Sequence, residues 1–356
     1  MGVTSGILPI NRTYLKSIDC RIHVGTATMP SVLYNKILKM LGGKSEVYEV
    51  TLPNETLSTF NRHIIHKVKD IESCAAIINS CVEDSKKLLI VCNQVKRAQL
   101  LYDNICSNYP NVAKMLIHSR FKRGDRTNLE TALKERFNTS SNVCIVVSTQ
   151  VVEVSLDISF DVMITECASI DALIQRFGRI NRKRTDETIG KYKDIYVIQP
   201  PEDKKDALPY DIDVLKKSYY VLPNDALLEE RKLQTLIDVV YPDSKFMNID
   251  YSGVVFANER WMIKELCHHA KSALLELLDI NSATCIIESD MDDYLKNPIN
   301  RMMLEIPVSY KSISNKGLAQ IATGSMPFVI PDKAYDYEKG LLIEFAKPEL
   351  TNVYKK

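Results

Sequence analysis

The chain has 356 residues, 45% apolar and 26% charged, an ordinary composition for a soluble globular protein of about two to three domains. Its net charge of only +1 excludes a molecule that binds nucleic acid through overall positive charge, so any such site must depend on local charge. The 9 cysteines form no Cys-x-x-Cys pair of a zinc site, and most lie in apolar runs as small buried side chains, which is typical of a reducing cytoplasm. No apolar run is long enough to predict a membrane span.

The predicted elements alternate between strands and helices over the first 200 residues. The pattern opens with a short strand at 21–26 and a helix that Ser31 caps and that runs through Leu41. Further strands are predicted at 46–51, 63–68, 88–92, 115–118, 143–148, 161–166 and 194–199. The helices between them are predicted at 70–82, 94–106, 125–137 and 170–177. This alternation predicts an α/β fold, a parallel sheet with helices on both faces.

The last third of the sequence has a different character. Residues 200–230 are polar and punctuated by proline. Residues 259–280 predict a helix with a wide apolar stripe, and 282–356 predict short strands and loops. We therefore expect a separate small region there.

The carboxyl edge of the predicted sheet is where binding sites of such folds lie, so we expect the chemistry in the loops after Cys92, His118, Ser148 and Glu166. Two local groups of basic residues support a cleft at this edge. The first group comprises Arg120, Lys122, Arg123 and Arg126. The second comprises Arg176, Arg179, Arg182, Lys183 and Arg184. The alternative is an ordinary solvated surface of lysine and arginine.

The most informative segment is Gln175-Arg-Phe-Gly-Arg-Ile-Asn-Arg182, a short turn after a helix. Arg179 and Arg182 are three residues apart and can point the same way. Two guanidinium groups that converge on one anion are suited to phosphoryl transfer, in which an arginine finger stabilises charge on the γ-phosphate. Gln175 could position the attacking water or the γ-phosphate, and Gly178 permits close backbone approach.

This segment resembles motif VI of superfamily 2 helicases, and Ser148-Thr-Gln-Val-Val-Glu-Val-Ser-Leu-Asp157 resembles their motif V. More narrowly, residues 149–157, 160–162, 170–176 and 178–182 resemble the CRISPR-associated helicase–nuclease of type I systems, which is recruited to an R-loop and degrades the target DNA. Three further segments fit the same family, namely 118–126, 88–94 as motif IV and 26–30 as motif III. The resemblance therefore implies a RecA-like helicase C-terminal lobe.

The resemblance also implies roles for individual residues. Arginine fingers and a phosphate-facing amide would be supplied by Arg179, Arg182 and Gln175. Further nucleotide contacts would come from Asp157 to the ribose, and from Arg176 and Gly178, although Arg176 could instead join an interlobe network. The nucleic-acid backbone would be contacted by Thr149, Gln150, Ser119, Arg120 and Arg126. Coupling between nucleotide state and strand handling would be the role of Thr26 and Thr28.

A complete motor requires a phosphate loop, Gly-x-x-x-x-Gly-Lys-[Ser/Thr], and an acidic magnesium-binding box, and the sequence has neither. The nearest string, Gly42-Gly-Lys-Ser45, has Leu38 in place of the first glycine. No His-Asp dipeptide of the family's nuclease domain is present. We therefore expect a fragment, a split subunit or a truncated product, with three regions: the end of the first lobe (1–45), the second RecA-like lobe (46–200) and a linker with an accessory region (201–356).

The expected function is the C-terminal motor half of an ATP-dependent single-stranded-DNA helicase in CRISPR interference, an antiviral defence. Its cofactor would be ATP with Mg, whose ligands we expect on a first lobe, and we expect no metal site on this chain. Expected partners are single-stranded DNA, the CRISPR surveillance complex, and a first lobe and nuclease domain in cis or in trans, but no membrane. Two alternatives stay open: a non-catalytic module that binds nucleic acid or protein, and a superfamily 2 helicase that acts on RNA.

Overall fold

The structure is a computed structural model that describes residues 24–25, 28–139, 142–153, 157–183, 185–242, 254–257, 260–263 and 282–348. The chain forms two compact units. One comprises Met1–Thr59 with Glu229–Ile280, and the other comprises Phe60–Leu228 with Asn281–Lys356. The limits of these units differ from the predicted region boundaries at 45 and 200, because the chain leaves the larger unit and returns to it.

The larger unit contains a seven-stranded sheet. Its strands are β1 (His63–Val68), β2 (Lys87–Val91), β3 (Ala113–Ile117), β4 (Cys144–Ser148), β5 (Val162–Glu166), β6 (Lys193–Ile198) and β7 (Ala226–Leu227). The strand order is β3-β4-β2-β5-β6-β1-β7, and only β7 is antiparallel to its neighbour. Ile90 in β2 pairs with Val147 of β4 and Ile164 of β5. The mostly parallel α/β sheet confirms the predicted fold class.

Helices connect the strands of this sheet. In chain order they are α3 (Ala75–Glu83), α4 (Val95–Asn108), α5 (Arg123–Ala132), α6 (Ile170–Phe177), α7 (Lys204–Ala207) and α8 (Ile212–Val221). The numbering starts at α3 because α1 (Ser31–Leu41) and α2 (Asn54–Ser58) belong to the smaller unit. Residues of α3 and α4 pack against Leu88 and Ile90 in one hydrophobic cluster. Helix α6 coincides with its prediction, whereas the helix predicted at 125–137 begins two residues earlier and ends in a π turn at Leu133–Phe137.

Residues 282–348 do not form the separate region that was predicted. They contain β10 (Ala283–Ile287), α10 (Met291–Lys296), α11 (Arg301–Leu304), β11 (Ile306–Val308), α12 (Tyr310–Ile313), β12 (Phe328–Ile330), β13 (Tyr335–Asp336) and β14 (Gly340–Leu341). Strand β10 pairs antiparallel with β11 and parallel with β12. Their buried side chains share one core with Phe121, which follows β3. This part of the chain is therefore packed on the edge of the main sheet.

The smaller unit contains α1 (Ser31–Leu41), α2 (Asn54–Ser58), α9 (Leu233–Val240) and the antiparallel pair β8 (Val254–Ala257) and β9 (Arg260–Ile263). Ser31 was predicted to cap α1, but it is the first helical residue, and its N–H and Oγ both donate to the Asp238 carboxylate at 2.7 Å.

Two predictions in this unit are wrong. Residues 46–51 form no strand, and Tyr48 and Val50 are 91% and 82% exposed, so their apolar alternation has no surface to pack against. Residues 260–263, predicted as helix, form β9. The rest of that predicted helix, and all but residues 24–25 of the strand at 21–26, lie outside the described residues. None of the described helices is long and apolar enough to cross a membrane.

Candidate functional site

The turn after α6 carries the two arginines that the spacing singled out. Ile180 forms a parallel bridge with Phe160. The Phe160 N–H donates to the Arg179 carbonyl at 3.0 Å, and the Asn181 N–H donates to the Phe160 carbonyl at 3.3 Å. Phe160 lies two residues before β5, so the backbone of this turn lies at the amino end of the sheet. We name residues 178–182 the arginine turn.

Arg176, at the end of α6, has no exposed side-chain surface. Its guanidinium group donates five hydrogen bonds of 2.8–3.1 Å, to Glu153, Thr165, Asn93, Tyr210 and the Glu166 carbonyl. A guanidinium group has five N–H donors, so none remains for a nucleotide. The placement makes Arg176 an internal brace between the end of β5, the loop after β2 and the 3-10 turn Gln150–Glu153, and not the nucleotide ligand that the sequence predicted.

Arg179 is 7% exposed and is fixed by backbone oxygens. Its Nε donates to the Val152 carbonyl at 2.6 Å, and its Nη2 donates to the Glu153 carbonyl at 2.8 Å. Burial and the neighbouring charge of Arg182 lower the pKa of Arg179. The long connection between β4 and β5, residues 149–161, is therefore attached to the arginine turn.

Arg182 is more accessible, with 39% of its side chain exposed. Its Nε lies 3.0 Å from Oδ1 of Asp157, whose side chain is 79% exposed. The structure thus places the residue predicted to contact ribose beside the second predicted finger. Gln175, on α6, is half-buried. Gly178 has an ordinary helical φ of −58°, and the nearest atom to an added Cβ would be the Gln175 carbonyl oxygen of its own turn, at 3.2 Å, so no other segment approaches this glycine closely.

The predicted nucleic-acid residues lie at the opposite, carboxyl edge of the sheet. Ile117 pairs with Ser148 at the ends of β3 and β4, so the loops that follow these strands are neighbours. One loop carries Ser119, which is exposed, and the half-buried Arg120. The other carries Thr149, which is 1% exposed, and Gln150, whose Nε2 donates to the Asn93 carbonyl at 2.8 Å.

The first basic group is largely neutralised by acidic side chains. Lys122 is buried and its Nζ lies 2.7 Å from Oδ2 of Asp290. Arg126 pairs with Glu130 at 3.3 Å. Arg123 lies 3.8 Å from Glu305. The second basic group is divided, because the Arg176 guanidinium lies at the carboxyl end of β5 whereas Ile180 of the arginine turn bridges Phe160 before β5. That both groups face one cleft stays a prediction.

Some expected residues cannot be placed. Thr26, Arg184 and residues 154–156 of the motif V segment lie outside the described residues. Thr28 belongs to the smaller unit and is 1% exposed. Within the described part of the chain, no three histidine, cysteine or carboxylate side chains gather as a metal site would require.

The sequence interpretation missed the four side chains that accept from Arg176, namely Asn93, Glu153, Thr165 and Tyr210. Burial raises the pKa of Glu153, and the charge of Arg176 opposes that shift. The signal for Glu153 was one carboxylate inside the apolar run Val151-Val-Glu-Val154, since a charge in such a run requires a partner.

The seven-stranded, mostly parallel sheet with its connecting helices matches the fold of Cas3 helicase C-terminal lobe structures. The family model described as CRISPR-associated nuclease/helicase Cas3, C-terminal, matches residues 84–185. A putative CRISPR-associated nuclease/helicase Cas3 of Methanocaldococcus jannaschii is 30% identical over 249 residues, 64% of this chain and 32% of that protein. The CRISPR-associated nuclease/helicase Cas3 of Methanothermobacter thermautotrophicus is 28% identical over 243 residues, 68% of this chain and 27% of that protein.

Solved structures give the same answer for the fold. The crystal structure of T. fusca Cas3 aligns with a TM-score of 0.69 at 17% identity, over 95% of this chain and 52% of that one. These matches support a Cas3 helicase C-terminal part and confirm the family that the motifs predicted. The chain spans about a third or less of the length of these curated relatives.

Proposed function

We propose that this chain is the C-terminal motor half of an ATP-dependent single-stranded-DNA translocase or helicase that acts in CRISPR interference. The observation that carries the proposal is the arginine turn, which brings Arg179, Arg182 and Asp157 together after a helix that bears Gln175. The Cas3–AMPPNP structure of T. fusca, which has the same fold at a TM-score of 0.69, supports the use of ATP in the family.

Arg182 is the side chain best placed to reach a nucleotide held by a facing lobe. Its ion pair with Asp157 is half-exposed, and such surface pairs contribute about 1 kcal/mol or less, so phosphate oxygens can replace the carboxylate. A finger of this kind accelerates phosphoryl transfer by roughly 10³–10⁵. The Val152 and Glu153 carbonyls accept from Nε and Nη2 of Arg179 and would orient its guanidinium group beside Arg182.

The ATP-binding site would be completed by a first lobe, because this sequence contains no phosphate loop. That lobe would supply the Mg ligands, in the same longer protein or in another chain. Mg would neutralise charge on the β- and γ-phosphates, while Arg182 and Arg179 would do so from this side.

At the carboxyl edge, the DNA backbone would be contacted by Ser119, Arg120 and Gln150, with Arg126 at the margin of this surface. Thr149, which is 1% exposed, would not reach the DNA. Such backbone contacts do not depend on the base sequence of the DNA, and they weaken as the salt concentration rises. A structure described as a CRISPR RNA-guided surveillance complex, pre-nicking, aligns with a TM-score of 0.60, which supports a surveillance complex as partner.

The test is DNA-stimulated ATP hydrolysis by the chain alone and mixed with the purified first motor lobe of a Cas3 relative. We expect turnover only in the mixture, and we expect Arg182→Ala and Arg179→Ala to abolish it. Lys183→Ala is the matched control, because Lys183 is an exposed cation on the same segment. Turnover that survives both arginine substitutions, with unchanged melting temperatures, overturns the finger assignment. DNA binding without turnover in any mixture favours the non-catalytic module.

A further inference from the structure

A hairpin far along the chain holds the turn that would contact DNA. Strands β13 and β14 form this hairpin, residues 335–341. The Leu341 N–H donates to the Arg120 carbonyl at 2.8 Å. The Lys339 carbonyl accepts from Nε2 of His118 at 3.0 Å and from Nε2 of Gln99 at 2.8 Å. The hairpin is thus joined to both α4 and the turn after β3.

His118 fixes the same turn from inside. Its ring is fully buried, its Nε2 donates to the hairpin, and its Nδ1 accepts from the Arg120 N–H at 3.1 Å. This requires the neutral ring with one donor and one acceptor nitrogen. Burial lowers the pKa of His118 to about 3, which keeps the ring neutral. The backbone of Arg120 is therefore held at its N–H by His118 and at its C=O by Leu341.

Tyr335 continues the attachment to the start of α5. Its hydroxyl donates to Oδ2 of Asp125 at 2.6 Å and accepts from the Lys122 N–H at 3.0 Å. The hairpin thus fixes the segment on both sides of the buried Phe121. Ser119 remains exposed within this segment, between His118 and Arg120.

Gly340 permits the close contact between the hairpin and the turn. Its φ is +68°, and a Cβ there would lie 2.6 Å from the Arg120 carbonyl oxygen and 2.8 Å from Cε1 of His118. Backbone oxygens cannot retreat as a flexible side chain would, so a methyl group at this position must separate the hairpin from the turn.

We infer that the hairpin 335–341 is a positioning element that sets the conformation of Ser119 and Arg120 for contact with a single-stranded nucleic-acid backbone. This inference rests on the proposed function and gives residues 282–348 a role in it. A charge-assisted contact depends on the direction of the arginine side chain, and that direction follows from the fixed backbone of Arg120.

The test compares Gly340→Ala with Gly317→Ala in the full chain. Gly317 has φ +69°, and an added Cβ would meet only Cγ of Pro348, at 4.0 Å. Both variants therefore carry the same left-handed backbone strain, but only Gly340→Ala carries the clash. Hydrogen exchange of peptides that cover residues 118–123 reports the turn without DNA. Fluorescence anisotropy with labelled oligo(dT) at several salt concentrations reports the contact.

We expect faster exchange at 118–123 in Gly340→Ala and not in Gly317→Ala. Gly340→Ala should also weaken oligo(dT) binding about tenfold and reduce the salt slope by about 0.7, the value for one phosphate contact on a single strand. In an Arg120→Ala background, Gly340→Ala should weaken oligo(dT) binding little further, because the Arg120 contact is already lost.

Unchanged exchange in Gly340→Ala overturns the inference whether or not DNA binds. Faster exchange with wild-type affinity and slope overturns the positioning role and leaves a purely structural contact. If the wild-type chain, alone and with a first lobe, binds no oligo(dT), the proposed DNA contact fails and the positioning role fails with it. The exchange result would still report the attachment of the hairpin to the turn.

Discussion

The Nε atom of Arg176 lies 2.8 Å from Oε1 of Glu153, in an ion pair whose arginine side chain is wholly buried. The pair joins the end of α6 to the connection between β4 and β5, the two segments that carry the candidate ATP-site residues. The geometry of the arginine turn therefore depends on Arg176, which has no donor left for a nucleotide.

We expect Arg176→Met to lower the free energy of unfolding by about 3–5 kcal/mol, because it leaves a buried carboxylate and four other acceptors without their donor. Urea unfolding would measure the loss. The control is Arg182→Met, which breaks a half-exposed ion pair and should cost about 1 kcal/mol or less. Equal losses in the two variants would contradict the assignment of Arg176 as the brace.

A second substitution tests whether the pair acts as a unit. In an Arg176→Met background, Glu153→Gln should cost much less than it does alone, because the uncompensated charge has been removed. Strict additivity of the two unfolding free energies would count against a direct coupling.

We expect Phe121→Ala to lower the free energy of unfolding by about 3–5 kcal/mol, because Phe121 fills the core shared with residues 282–348. The transition should remain single, since both segments belong to one compact unit. Tyr220→Ala, at a residue that is 83% exposed, is the control. A separate early transition for residues 282–348 would contradict the shared core.

His118 and His66 have pKa values shifted in opposite directions, so they should act on stability in opposite ways. For His118 the folded pKa, about 3, lies below the unfolded value near 6.5, so between these values the unfolded state binds more protons. Its contribution should fall as pH drops below about 6.5, by at most about 1.4 kcal/mol per pH unit. Chemical unfolding of wild type and His118→Gln at several pH values would reveal this slope, and parallel curves would refute it.

His66 should show the reverse dependence. Burial opposes its charging, but the carboxylates of Asp194 and Asp225, 3.0 Å and 2.8 Å from the ring nitrogens, outweigh that effect and raise its pKa. Its stabilisation is fully present below the unfolded pKa and is lost as pH rises through the folded pKa. Relative to His66→Gln, the wild type should therefore lose stability as the pH rises above the unfolded pKa of about 6.5. A wild-type advantage that grows with pH would be inconsistent with this pair of carboxylates.

The sheet could be predicted because its strands are short apolar runs between helical patterns. Leu88–Cys92 differs from the observed β2 by one residue at each end, and α6 coincides with its predicted limits. The strand predicted at 46–51 failed because alternation shows only which face could be buried. Whether a neighbour exists depends on the tertiary structure, and Tyr48 has none on that face.

The sequence singled out the arginines of the candidate site, but it did not indicate where each side chain points. Arg176 and Arg179 are the same residue type and lie three residues apart, yet every guanidinium N–H of Arg176 is hydrogen-bonded within the protein. Two of these hydrogen bonds go to Asn93 and Tyr210, which are distant in sequence, so the local spacing of the arginines cannot predict them. The position of the arginine turn was missed for a similar reason, since the chain after α6 returns to the beginning of β5 before β6 starts.

The core shared by Phe121 and residues 282–348 also has a consequence for biosynthesis. More than 150 residues separate Phe121 from the strands that cover it. At about 5–20 residues per second, a ribosome needs on the order of ten seconds or more to supply that cover. Throughout this interval, the apolar side chain of Phe121 stays open to other nascent chains. We therefore expect the growing polypeptide to be a client of a chaperone that shields exposed apolar surface until β10 emerges.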